Sequence, residues 1–349
     1  MLQTLFHAWE RRLAAVTKDR VVRPFEWGLD WLTDHDHPAS ADRAAGEPAE
    51  TVSRWVSHVM KDTDAFFTPS ATEEYTLMPS PDGDRLTFPS ALVTPHPSNN
   101  TVHCRYFPAR GGGRKAAVLV LPQWNSDPGG HVGLCRLLAW NGLHALRLSL
   151  PYHDERMPPE LNRADYIVSS NVGRTVQVCR QAVLDARRAI WWLRSQGFER
   201  IGILGSSLGS CLALLTTAHE PLIVAQALNH ISPHFADVVW HGISTRHVRD
   251  GLDGHIELDL LRTLWSPISP QSYLERVRGR QTLLVYARYD LTFPVDLSED
   301  LVRAFEELGI PHELAVLRCG HYSTGKAPFK FVDGWILTRF LKKALIPDP

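Results

Sequence analysis

The residues of this sequence best placed to do covalent chemistry are Gly205-Ser206-Ser207-Leu208-Gly209, which follow the apolar run 201–204 and precede a helical pattern. A sharp strand-to-helix turn drives its central residue into a strained conformation, and glycine two places to either side removes Cβ atoms that would clash there. Ser207 is thereby offered as a nucleophile. A serine hydroxyl needs a base to take its proton, most often a neutral imidazole. Of 17 histidines, His321 is the best placed, in Arg318-Cys319-Gly320-His321-Tyr322 just beyond the apolar run 312–317. The imidazole in turn needs a carboxylate to fix its tautomer, and Asp290, after the run 282–287, fills that place, with Asp237 as the fallback. The chemistry is acyl transfer at a carbonyl, whose developing oxyanion two backbone N–H groups would stabilise. Leu208 supplies one. After the run 116–121 come Pro122-Gln123-Trp124-Asn125; Pro122 has no N–H, so Trp124 is the first choice for the second and Gln123 the next.

These residues must be carried on strand ends, and the chain supplies an alternation of strand and helix. Strands are expected at 116–121, 145–150, 201–204, 222–228, 282–287 and 312–317. Helices are expected at 132–140, 175–195, 208–219, 294–308 and 329–345. That is an α/β protein with a mostly parallel central sheet and helices on both faces. The segments 86–93 and 102–107 read as an antiparallel edge. The stretch 235–273 interrupts the alternation for longer than an ordinary connection and reads as a helical cap insertion over the site. Tyr152 and His153, after 145–150, and His230 and His234, after 222–228, come from the same rim and are candidates for lining a substrate pocket with Gln123. Trp240 and Trp265 could form an apolar acyl site, but structural packing is the preferred reading.

The division expected is an N-terminal helical extension over 1–73 and an α/β domain over 74–349. Leu2, Leu5, Phe6, Trp9, Leu13 and Val16 recur at helical spacing beside Arg11, Arg12 and Lys18. Such a helix could lie on a membrane surface; packing across the body of its own domain is the preferred reading. A further amphipathic helix is expected near 51–67. Asp34, His35, Asp36 and His37 sit in a polar loop and read as solvated rather than as metal ligands, so no metal is expected. Lys plus Arg number 37 against 38 Asp plus Glu, which gives no field to attract nucleic acid. The five cysteines form no C-x-x-C pair and read as reduced and buried. The first residues lack the unbroken apolar stretch of an export signal, and no run is long enough to span a membrane, so the cytoplasm is the expected compartment.

With the elbow, acid and histidine in this order, the chain resembles the alpha/beta-hydrolase superfamily over roughly 86–345, Ser207, Asp290 and His321 matching its triad and Leu208 its oxyanion residue. Leu150-Pro151-Tyr152-His153 and the elbow are similar to those of bacterial serine hydrolases of the dienelactone-hydrolase-like and acetyl-xylan-esterase-like type. Two departures stand out. Pro122-Gln123 replaces the usual His-Gly after the third strand, and true dienelactone hydrolases carry cysteine where this chain has Ser207. The resemblance implies a carboxylic ester hydrolase acting on a small-molecule ester without cofactor. A peptidase or thioesterase with the same triad, or a non-catalytic hydrolase-fold binding protein, are the alternatives.

Overall fold

A computed structural model describes residues 2–32, 47–111 and 115–346. Asp34 to His37 lie outside the described residues. Nine strands form one sheet in the order β1-β2-β3-β5-β4-β6-β7-β8-β9. Its first part is antiparallel: β1 (Thr76–Met78), β2 (Asp84–Pro89) and β3 (Thr101–Phe107), with β3 also antiparallel to β5 (His144–Leu148). The rest is parallel: β5, β4 (Ala116–Leu121), β6 (Arg200–Ser206), β7 (Ile223–Asn229), β8 (Gln281–Ala287) and β9 (Glu313–Leu317).

Parallel strands are covered on both faces, so they read as unbroken apolar runs, and β4, Ala-Ala-Val-Leu-Val-Leu, is buried at every position. Its alternate residues enter different cores. Ala117, Leu119 and Leu121 join the larger one with α5 (Val172–Ser195) and α6 (Leu208–His219). Ala116, Val118 and Val120 join the smaller one with α4 (Val132–Trp140) and α12 (Phe329–Leu345). α10 (Val295–Glu307) packs on β8. Because every parallel strand runs the same way, the loops after β4, β6, β7, β8 and β9 emerge at one edge, where ligands of open α/β sheets bind.

The expected helix at 51–67 is two pieces, α2 (Pro48–Val59) and α3 (Thr63–Phe66), because the chain turns at Met60 to Asp62, and the Asp62 carboxylate accepts the Ala65 N–H to start the second. The stretch 235–273 contains α7 (Phe235–His241), α8 (Arg246–Leu252) and α9 (Leu258–Leu264) followed by 3-10 turns. Trp265 at its end is fully buried and donates its indole N–H to the Val172 carbonyl at 3.2 Å, so it serves as packing. No helix among the described residues is long and apolar enough to cross a membrane.

The N-terminal helix α1 (Leu2–Ala14) lies against α11 (His321–Thr324), the short turn of helix that begins at the histidine. Phe6 stacks on Tyr289 with ring centroids 4.6 Å apart and meets Phe329 edge-on at 6.0 Å. Leu2, Leu5 and Val16 remain on the outside. Packing on its own body is thus what Phe6 and Glu10 do, while half of the apolar set points away.

Candidate active site

Ser207 stands between β6 and α6 with φ 56° and ψ −121°. A non-glycine residue persists there only where its surroundings over-determine it. The surroundings are visible: its N–H donates to the Asn229 carbonyl at 2.8 Å, and its own carbonyl accepts from the Ser210 N–H and hydroxyl at 2.8 and 2.6 Å. A Cβ on Gly205 would stand 2.1 Å from the Gly209 carbonyl oxygen, and one on Gly209 2.2 Å from that of Leu121. Both glycines are required by close approach of backbone, which keeps the turn tight against the end of β4. Leu208 opens α6, so its N–H has no intrahelical acceptor and is free to serve a ligand.

Asp290 follows β8 and is nearly inaccessible. Its Oδ1 accepts the N–H groups of Thr292 and Phe293, both at 2.8 Å. Its Oδ2 faces two imidazoles: His321 Nδ1 at 2.9 Å and His230 Nδ1 at 3.0 Å. A carboxylate can only accept, so both Nδ1 atoms carry protons and both rings present Nε2 on the far side. Burial opposes charge on Asp290, but His321 and His230 outweigh it and hold the carboxyl well below the usual range. For His321, burial likewise opposes charge, and the Asp290 and Glu10 carboxylates overcome it, raising the imidazole above its ordinary value of 6.5. Phe293 stacks on the His321 ring at 5.4 Å, fixing its plane.

His230 ties the pieces together. It follows β7 in a left-handed conformation (φ 59°), its neighbour Asn229 accepts the Ser207 N–H, its own carbonyl accepts the Ser210 hydroxyl at 2.8 Å, and its ring lies 4.6 Å from that of His321. Its Nε2 is buried without a partner among the described residues. Behind it, Asn229 donates to Asp333 at 3.0 Å, and burial pushes the Asp333 carboxyl up to about 6. The nitrogens and carboxylate of His230, Asp290 and His321 lie within 4.8 Å of one another, a donor set that could suit a divalent ion. Their hydrogen bonds argue for another use, since each Nδ1 points a proton, not a lone pair, at the carboxylate.

A second carboxylate supports the histidine from outside the sheet. Glu10 on α1 is 0% exposed and accepts the N–H groups of Tyr322 at 2.8 Å and Ser323 at 2.9 Å. Nothing in the local sequence announces a link across more than 300 residues; only the interruption of the apolar stripe by Glu10 between Trp9 and Leu13 was available as a signal.

The other expected residues distribute as follows. Gln123 and Trp124 are half-buried in the turn after β4, Trp124 donating its indole N–H to the Ala164 carbonyl at 2.8 Å. Tyr152 and His153, expected to line the pocket, are interior instead. The Tyr152 hydroxyl is hydrogen-bonded to His96 Nδ1 at 3.0 Å, while His153 Nε2 accepts the Asn125 N–H at 2.9 Å. His153 therefore shapes the turn carrying Trp124: Leu150 and Pro151 leave β5 toward the core, so the side chains that follow turn inward. Asp237 is engaged by Arg262 at 2.6 Å and stands apart from the Asp290 contacts. His234 opens α7.

No protein-family model matches the chain, and no curated protein matches it by sequence. Solved structures do match in shape. Acetyl xylan esterase 1 from Thermoanaerobacterium sp. superposes with a TM-score of 0.59 at 13% identity, over 95% of this chain and 98% of that one. Acetyl xylan esterase from Paenibacillus sp. gives 0.58 at 16% identity, over 96% and 99%. Acylaminoacyl peptidase from Pyrococcus horikoshii gives 0.59 at 15% identity over 78% of this chain, which spans only 42% of that protein's length. Sheet order, elbow and these likenesses agree on one conclusion: this chain has the alpha/beta-hydrolase fold.

Proposed function

We propose that this chain is a serine hydrolase that cleaves carboxylic esters of small molecules through an acyl-serine intermediate. The observation that carries the proposal is the strained Ser207 elbow at the sheet edge where Asp290 orients His321. In this reading neutral His321 Nε2 takes the Ser207 proton as the hydroxyl oxygen bonds the ester carbonyl carbon. The carbonyl oxygen, now negative, is held by the N–H groups of Leu208 and Trp124. Collapse breaks the bond to the alcohol, which leaves with the proton from His321. Water repeats the sequence, giving its proton to His321 and releasing the acid. Serine, imidazole and backbone amides suffice, so this chemistry calls for no metal or organic cofactor.

Full-length likeness to two acetyl xylan esterases supports ester cleavage with a small acyl group. Peptide cleavage, suggested by the name of the Pyrococcus horikoshii protein, rests on a longer chain, only 42% of which is covered. Hydrolysis of p-nitrophenyl acetate and of an N-acetyl amino-acid p-nitroanilide separates the two. The account expects the ester to be cleaved and Ser207→Ala to reduce kcat by about 10⁴-fold or more. Ester cleavage that survives this change would overturn it.

A further inference from the structure

Beside the proposed nucleophile site lies a group of cations that the triad does not use. The segment after α1 carries Arg20 and Arg23, the latter donating to Asp165 at 3.2 Å. Arg20 donates Nη2–H to the Tyr322 hydroxyl at 3.0 Å, one residue from His321. On the opposite side of the edge the Arg163 guanidinium lies 5.4 Å from the centre of the Trp124 ring. His247, on α8, stacks parallel to that ring at 5.7 Å. The group thus reaches from the loop of the proposed base to the loop of the proposed oxyanion donor.

The ion pairs here are unevenly shared. Arg163 pairs with Asp19 at 3.2 Å and with Asp165 at 3.4 Å, and Arg23 shares the same Asp165 at 3.2 Å. Among the described residues Arg20 is bonded to the Tyr322 hydroxyl rather than to a carboxylate, and its buried Nε has no acceptor there. The nearby acid on α1, Glu10, has both oxygens committed to the Tyr322 and Ser323 N–H groups. His247 is 7% exposed, yet neither ring nitrogen has a partner among the described residues. Burial, with Arg163, Arg20 and Arg23 adding to it, pushes its pKa down to about 4, so the ring is neutral and offers one N–H and one lone pair. Burying such groups without partners is costly, and proteins rarely do so without a use. Arg20 is bonded to Tyr322, His247 is stacked on Trp124, and Arg20 is near enough to His247 to act on its charge. A guanidinium and an N–H donor so placed suit a carboxylate or phosphate oxygen, which guanidinium binds through a charge-assisted fork.

We propose that Arg20 and His247 form a subsite for an anionic group, carboxylate or phosphate, carried by the substrate next to its scissile ester. The proposal rests on the hydrolase reading for the word ester, but anion binding can be tested without it. Calorimetric titration with inorganic phosphate, and separately with glutarate, at constant ionic strength should show saturable binding of at least one. Arg20→Gln should weaken it by about tenfold or more, and Arg20→Lys, which keeps the charge but not the fork, should fall between. Phosphate alone or glutarate alone binding identifies which oxyanion the subsite takes. The bound anion should also slow labelling of Ser207 by a neutral fluorophosphonate. On the catalytic side, kcat/KM for p-nitrophenyl hydrogen glutarate relative to p-nitrophenyl butyrate should fall about tenfold in Arg20→Gln and in His247→Phe. No saturable binding of either anion, or binding equally tight in Arg20→Gln of unchanged melting temperature, overturns the subsite. A Ser207 that never labels while phosphate still binds would sink the hydrolase reading and leave the subsite standing.

Discussion

Two buried polar regions of this molecule are built on opposite plans. On the antiparallel flank, Arg156 donates to the Asn99 carbonyl at 3.2 and 2.8 Å, to the Ser149 carbonyl at 3.1 Å and to Asp185 at 2.8 Å, while Asp185 also accepts from Ser90 and Ala91. At the proposed catalytic edge, one oxygen of Asp290 serves two imidazoles, and His230 Nε2 and both nitrogens of His247 have no partner among the described residues. Around Arg156 and Asp185, hydrogen-bonding capacity is filled from within. Where chemistry is proposed, capacity is left for a proton, an oxyanion or a ligand to complete.

Substitutions should separate the two plans. The largest expected effect is at the edge: Asp290→Asn, which can no longer hold His321 in the required tautomer, should lower kcat for p-nitrophenyl acetate by roughly 10³–10⁴-fold with the fold intact by circular dichroism. The flank should behave in the reverse sense. Asp185→Ala leaves the buried Arg156 charge uncompensated and should cost roughly 3–5 kcal/mol in urea unfolding, with kcat per folded molecule little changed. A loss of kcat in Asp185→Ala at full stability would break the comparison.

Glu10 sharpens it, because it belongs to both plans, filled by two N–H groups yet adjacent to the proposed base. Since the Glu10 charge helps raise His321, and the base works only when neutral, the wild-type acid limb of the kcat/KM profile should have its midpoint above 6.5. Glu10→Gln should move that midpoint to lower pH while preserving an acceptor for the loop. An unmoved midpoint with reduced kcat would make Glu10 purely structural. The smallest effect is at Asp333. Its folded-state pKa of about 6 lies above the ordinary 3.8, so its contribution to stability is full below 3.8 and is lost as pH rises through about 6. Asp333→Asn should therefore raise the melting temperature at about pH 8 and change it little at about pH 4; the opposite order would refute this assignment.

Much of the scaffold was legible because its signals are local. Unbroken apolar runs mark strands buried on both faces, the glycines of 205–209 mark the elbow, and α12 spans the expected Phe329–Leu345. β1 was not legible: its three residues are exposed and show no alternation. Trp124 and Gln123 do lie at the turn after β4, but the direction of Tyr152 and His153 depended on where the chain goes after β5. Glu10 and the carboxylate sharing by His230 were beyond reach for one physical reason. Each is a contact between segments far apart in the chain, made by side chains whose types are common in loops and helices.

The central claim is that Ser207 is activated through His321 and Asp290. Its most direct test is mass-spectrometric mapping of fluorophosphonate attachment in wild type and in His321→Ala, at a pH above the His321 midpoint. The account predicts a single adduct on Ser207 in the wild type and its loss, or slowing by about 10³-fold or more, without the imidazole. An adduct elsewhere, or equally fast labelling of Ser207 when His321 is absent, would contradict it.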